Sequence, residues 1–293
     1  MKNKIVAIIF LCVVLAFFLV SCAEDTNNDN SNSTSTISNV VERSTATNTS
    51  KISEETTTAE KTTSAPSTEN KIKIVPKKSD PNNIYDSSGF VLIDDMIPDV
   101  ILDVRYATEY NFVGDVINGY EEPLAFLTYE AAEALSKAAK EFREKGYQLK
   151  IYDAYRPQVA VEHFVEWSTD LNDTRMKKDF YPNIDKSSLF GAYIAHYSGH
   201  SRGCTVDITL FDTKKQKDLD MGGTFDYFGE LSHPTYTGVT TYQYNNRMLL
   251  RNVMQKYGFR PCSTEWWDFT YTNEPYPDTY FSFPVSKKSI TYK

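Results

Sequence analysis

Ser198-Gly199-His200-Ser201-Arg202-Gly203-Cys204-Thr205-Val206-Asp207-Ile208-Thr209-Leu210 decides how this chain folds: an imidazole and a carboxylate flank a glycine, and an alternating strand pattern follows. A neutral imidazole and a carboxylate are ordinary zinc ligands, and a catalytic zinc takes three protein ligands while leaving one position for the attacking water. His200 and Asp207 are the first two candidates. On one straight strand they would lie roughly 23 Å apart and on opposite faces, so the chain has to bend between them. Gly203 is the residue that permits a positive φ or a tight turn there. Working outward, the third ligand is sought in the later segment Glu265-Trp266-Trp267-Asp268, where Glu265 also offers a carboxylate suited to act as general base. A regular strand would point Glu265 and Asp268 in opposite directions, so a bulge, or a base standing slightly outside the ligand shell, is expected. Trp266 and Trp267 read as core or pocket wall.

The amino-terminal part of the 293-residue chain contributes nothing to a core. Lys2 and Lys4 precede an apolar run from Ile5 to Val20, the pattern of a secretory signal, and Leu19-Val20-Ser21-Cys22 resembles a bacterial lipobox in which Cys22 is lipidated. Residues 1–21 are therefore expected to be a lipoprotein-type signal, with a plain signal or an uncleaved anchor as the alternatives. Residues 22–75 are mostly Asn, Ser, Thr, Glu and Lys, and predict a disordered tether reaching on the order of 40 Å. Residues 76–293, rich in Tyr and Phe, are long enough for one compact domain. A formal net charge of -8 argues against nucleic acid as a partner, since that contact uses Lys and Arg patches. Cys204 and Cys262 flank the candidate ligands; a bridge between them and two separate thiols are both open.

Short apolar runs in Phe90–Tyr106 suggest one or two strands around Ile97-Pro98-Asp99. From Thr128, Ala131, Leu135, Ala138, Ala139 and Phe142 recur at helical spacing, and Gly146 ends the helix. Tyr147–Asp153 alternates as a strand, a second helix runs through Val161, Phe164 and Val165, and Asn245–Tyr257 reads as a third. The Glu265 segment is expected to be a strand. Arg156 falls at a strand-to-helix junction, where a guanidinium can clamp a carboxylate or face an oxyanion, although a structural Arg is the commoner case. Without a regular βαβ repeat, the class expected is α+β: a single domain with a mainly antiparallel sheet flanked by helices, and the metal in a cleft.

From about Phe90 to Val285 the chain resembles the D-alanyl-D-alanine dipeptidase family of zinc peptidases. The likeness rests on Arg105-Tyr106-Ala107-Thr108 with Asn111-Phe112, Tyr152-Asp153-Ala154-Tyr155-Arg156-Pro157, Tyr181-Pro182-Asn183-Ile184-Asp185, His200-Ser201-Arg202-Gly203 to Asp207, Met221-Gly222 with Phe225-Asp226, Glu265-Trp266-Trp267, and Glu274-Pro275-Tyr276-Pro277. The resemblance implies one Zn2+ per chain, with His200 and Asp207 as ligands, Glu265 as the base and Arg156 as the stabiliser of the tetrahedral oxyanion. It also implies that Asp226 and Ser198 help hold the dipeptide, Asp226 facing its ammonium group. One position departs: the family's second motif ends in His where this chain has Asp268. Asp268 can ligate zinc, but it adds negative charge, lowers the metal's acidity and has a shorter reach.

The expected function is thus hydrolysis of D-alanyl-D-alanine or a close D,D-dipeptide by metal-activated water. It would occur in a lipoprotein on the outer face of the bacterial cytoplasmic membrane, or in a secreted protein. The alternatives are a D,D-carboxypeptidase acting on peptidoglycan stem peptides, and a cell-wall-binding pseudoenzyme whose metal site has decayed at Asp268. His163, His196 and His233 read as structural, with His196 a substitute ligand only if Asp268 fails.

Overall fold

The computed structural model describes residues 76–292. Its strands are β1 (Phe90–Leu92), β2 (Ile101–Leu102), β3 (Phe126–Thr128), β4 (Tyr147–Asp153), β5 (Thr205–Asp212), β6 (Lys217–Asp218), β7 (Phe259–Pro261) and β8 (Asp268–Tyr271). Its α-helices are α1 (Ile93–Met96), α2 (Tyr129–Glu144), α3 (Gln158–Thr169), α4 (Lys177–Phe180) and α5 (Thr241–Lys256).

The expected strand after Gly203 is β5, at the centre of a sheet ordered β2-β4-β5-β8-β7, with β6 also paired to β5. Only the β2–β4 pairing is parallel, so the α+β reading with a mainly antiparallel sheet holds. Residues 205 to 210 of β5 are all buried, so both faces of this strand are covered. Val206, Ile208 and Leu210 alternate with Thr205, Asp207 and Thr209 between those faces. One face is apolar and the other carries the polar side chains that build the site.

Helix α2 places the predicted residues Ala131, Leu135, Ala138, Ala139 and Phe142 in the core, packs against β4 and α5, and is followed by Gly146 at φ 88°. Helix α5 starts four residues before Asn245, because Thr240 and Gln243 form a reciprocal capping box. Arg247 on α5 is buried and donates to the carbonyls of Met221, Leu231 and His233, tying the long loop before α5 to that helix.

Gly203 does make the turn, at φ 77°, and a Cβ there would lie 2.0 Å from the ring of Phe90. Phe90 is itself wedged among Tyr155, Phe281 and Phe283, with ring centroids 4.9–5.2 Å away, so the glycine lets the turn sit on the aromatic core. The strand expected to include Glu265 begins only at Asp268; residues 262 to 267 are loop with bends. That break removes the parity conflict, since Glu265 is not bound by strand alternation. Cys204 and Cys262 are separate thiols: Cys204 is buried 3.1 Å from the Thr128 hydroxyl, and Cys262 lies 3.3 Å from that of Thr264. Among the described residues no helix is long and apolar enough to cross a membrane. The signal and tether expected over residues 1–75, including Cys22, lie outside the described residues.

Candidate active site

Strand register builds the site. Asp153 on β4 stands opposite Asp207 on β5, and Asp207 stands opposite Asp268 on β8, so three aspartates form a row across three strands. Directly opposed residues share a face, and this row lies at the end of β5 nearest the Gly203 turn. The β4 register shifts between Ile151 and Asp153. Without that irregularity Tyr152 would oppose Asp207; the shift re-aims the strand end so that a carboxylate does.

His200 reaches the row from the 3-10 turn Gly199–Arg202, whose start is capped by the Ser198 hydroxyl accepting from the His200 amide at 3.3 Å. Its Nδ1 lies 2.7 Å from the carbonyl of Ala154, which accepts only if Nδ1 carries the proton. Nε2 then presents a lone pair, 3.3 Å from Asp268 Oδ2 and 3.6 Å from Asp207 Oδ1. Burial, with Arg156 nearby, holds the imidazole neutral by pushing its pKa down to about 3. A lone pair facing two carboxylates requires a cation or a proton between them.

The carboxylates press the same demand. Asp207, Glu265 and Asp268 each offer an oxygen within 4.8 Å of the others, and the buried Asp207 Oδ1 has no hydrogen-bond partner. Burial and then Asp268 raise the pKa of Asp207, and the same two causes bring Glu265 up to about 7; burial lifts Asp268 to about 6. The donor set of one imidazole and two carboxylates, with an orphaned oxygen among them, fits a divalent cation. The shorter side chain of Asp268 reaches the cluster.

Asp153 does not line the cleft but organises its neighbours. It accepts from Tyr120 at 2.5 Å and from Arg156 Nε at 2.9 Å, and lies 3.5 Å from His200 Nδ1. Arg156 is held over the rings of Tyr106 and Phe164, at 4.9 and 5.3 Å, with Nη2 3.5 Å from Asp207. Tyr106 donates to Asp226 at 2.8 Å, and burial pushes the Asp226 carboxyl up to about 8. Asp226 adopts φ 59°, a left-handed backbone uncommon outside glycine, which fixes where its side chain enters the cleft.

Arg156, Ser198, His200, Asp207, Asp226, Glu265 and Asp268 all line one cleft of about 400 Å³, the size of a small-ligand site. Trp267 and Trp266 are buried, as the core reading expected. His196 is not among the lining residues, and His163 accepts from the Asn118 amide. Sequence reasoning assigned no role to Asp153, Tyr106 or Tyr120; the only signal was that Asp153 and Tyr106 stand in recognisable blocks.

Residues 86–286 match the family model described as D-ala-D-ala dipeptidase, peptidase M15. The D-alanyl-D-alanine dipeptidase of Enterococcus faecalis is 40% identical over 200 residues, covering 68% of this chain and 99% of that protein. The Enterococcus faecium protein of that name is 39% identical over 198 residues, 67% of this chain and 98% of its own length. One from Streptomyces coelicolor is 38% identical over 201 residues, 68% of this chain and 100% of its own length.

Proposed function

We propose that this chain, which belongs to the D-ala-D-ala dipeptidase family of metallopeptidases, hydrolyses D-alanyl-D-alanine with one zinc ion as its metal. The observation that carries this reading is the convergence of an imidazole lone pair, two carboxylates in register and a third carboxylate in one cleft. Zinc held by His200, Asp207 and Asp268 would supply Lewis acidity to the substrate carbonyl and acidity to water.

The remaining work falls to side chains. Glu265 takes the proton of the attacking water and returns it to the amine as the C–N bond breaks; a carboxyl near pKa 7 suits both transfers at neutral pH. Arg156, permanently charged and fixed by Asp153, faces the oxygen that gains charge as the carbonyl carbon becomes tetrahedral. Asp226 receives the substrate ammonium. A buried carboxyl that is largely protonated alone ionises beside a cation, so the site favours peptides with a free amino terminus. Ser198 helps to hold the dipeptide.

Release of D-alanine from D-Ala-D-Ala, assayed with a chelator and with zinc returned, tests the reading. The expected outcome is loss of turnover, restoration at about one zinc per chain, and slower cleavage of a pentapeptide ending in D-Ala-D-Ala. Preference for the pentapeptide would make the chain a D,D-carboxypeptidase. Absence of bound metal and of turnover would make it a wall-binding protein.

The cellular setting rests on sequence alone. Residues 1–21 direct export, Cys22 carries lipid, and residues 22–75 tether the catalytic domain, 76–293, on the outer face of the cytoplasmic membrane. There the substrates are released D,D-dipeptides, with peptidoglycan stem peptides nearby, and the role is scavenging or wall remodelling. Cys22→Ala should move the protein from the membrane to the soluble fraction.

A further inference from the structure

The three arginines lining the cleft are not equivalent. Arg156 is committed to Asp153 and Asp207, and Arg202 forks onto Glu274 at 2.6 and 3.0 Å. Among the described residues Arg260 makes no salt bridge, and the carboxylate that feels its charge is Asp268, whose carboxyl it pulls down without an ion-pair contact. It is exposed, so its guanidinium is free to receive a carboxylate.

Its position follows from strand pairing. Arg260 on β7 opposes Thr270 on β8, and Asp268 lies two residues before Thr270, so the three side chains share the cleft face. Thr270 in turn meets Thr205 across β5 at 3.0 Å. Asp226 keeps company with Tyr106 and Arg156, whereas Arg260 stands beside Asp268 and Thr270. Asp226 and Arg260 therefore form no ion pair with each other, and neither is held in a salt bridge elsewhere among the described residues. A dipeptide has the complementary pattern: an ammonium on one side of the peptide bond and a carboxylate on the other.

Resting on the dipeptide reading above, we propose that Arg260 is a specificity-determining residue that anchors the terminal carboxylate of the substrate. Its planar fork matches both carboxylate oxygens, which a lysine does with one point charge. Asp226 and Arg260 line the same cleft, so a substrate held at both has both of its charged ends inside it.

The test is calorimetric binding of D-Ala-D-Ala and of its C-terminal amide to the zinc-loaded Glu265→Gln protein, which lacks the proposed base and leaves the ligand intact. Adding Arg260→Gln should weaken D-Ala-D-Ala by about tenfold to a hundredfold and leave the amide unchanged, with Arg260→Lys between. Equal losses for acid and amide, no loss for either, or failure of the parent protein to bind the acid in preference to the amide would overturn the proposal. Hydrolysis by the wild-type chain is scored separately. Turnover without the Arg260 effect removes only the anchor, and the Arg260 effect without turnover removes only the catalytic reading.

Discussion

Asp268 is the residue where charge and donor chemistry meet most sharply. It brings a third carboxylate close to Asp207 and Glu265, and it is the second cause, after burial, of the raised pKa of both. Asp268→His should remove that repulsion and leave a more acidic metal. The expected result is a severalfold rise in kcat with metal stoichiometry unchanged, measured by D-alanine release and metal analysis. A fall in both would mean that the cleft is built around a carboxylate at this position. His200, Asp207, Asp268 and Glu265 were legible as a set because each carries metal or proton chemistry and the glycine between the first two demands a turn. Arg156 was legible as a candidate from its strand-to-helix junction, but preferring a functional over a structural role needed the resemblance, since a lone arginine at a strand end carries little signal of what it faces.

At the level of elements, the long amphipathic helix α2 and strand β4 were readable because their apolar periods are sustained. The register irregularity at the end of β4 was not, because one inserted residue leaves no periodic trace, and with it went the role of Asp153. The loop at Glu265 was hidden for a different reason: Trp266 and Trp267 look like strand residues, but their burial comes from packing at a bend. Asp153 can be tested directly. Asp153→Asn keeps its volume and Tyr120 as a neighbour but removes the charge facing Arg156 and His200, so zinc affinity and kcat should each fall about tenfold to a hundredfold, as for other groups that orient ligands. Competition with a chromogenic chelator and steady-state kinetics measure the two effects. Loss of kcat alone would restrict Asp153 to orienting Arg156.

For the whole molecule, the site sets a pH dependence of folding. Asp207, Asp226 and Glu265 bind protons more tightly folded than unfolded, so their contribution lowers stability as pH rises from the ordinary carboxylate range toward 8. His200 acts oppositely, adding stability as pH rises from about 3 to 6.5, and contributes no slope above that. Between pH 6.5 and 8 the carboxyl effect stands alone. The metal-free protein should therefore lose a few degrees of Tm across that window, and the Asp226→Asn, Glu265→Gln double variant should reduce the loss to the part that Asp207 carries; thermal denaturation at stepped pH reads both. Zinc should suppress the slope as well, because a bound cation replaces the protons.

The row of aspartates also bears on how the domain keeps its shape. Its two thiols lie apart and unpaired, so among the described residues no covalent bond joins distant parts of the chain. A cation bound by the proposed ligands would grip β5, β8 and the turn bearing His200, with Asp153 on β4 beside that histidine, and would close long loops as a disulfide does. It differs in being reversible and in forming only when the strands have paired correctly. A slip of one residue in β5 or β8 would turn Asp207 or Asp268 away, so metal held by the proposed ligands would report that the sheet had assembled in register.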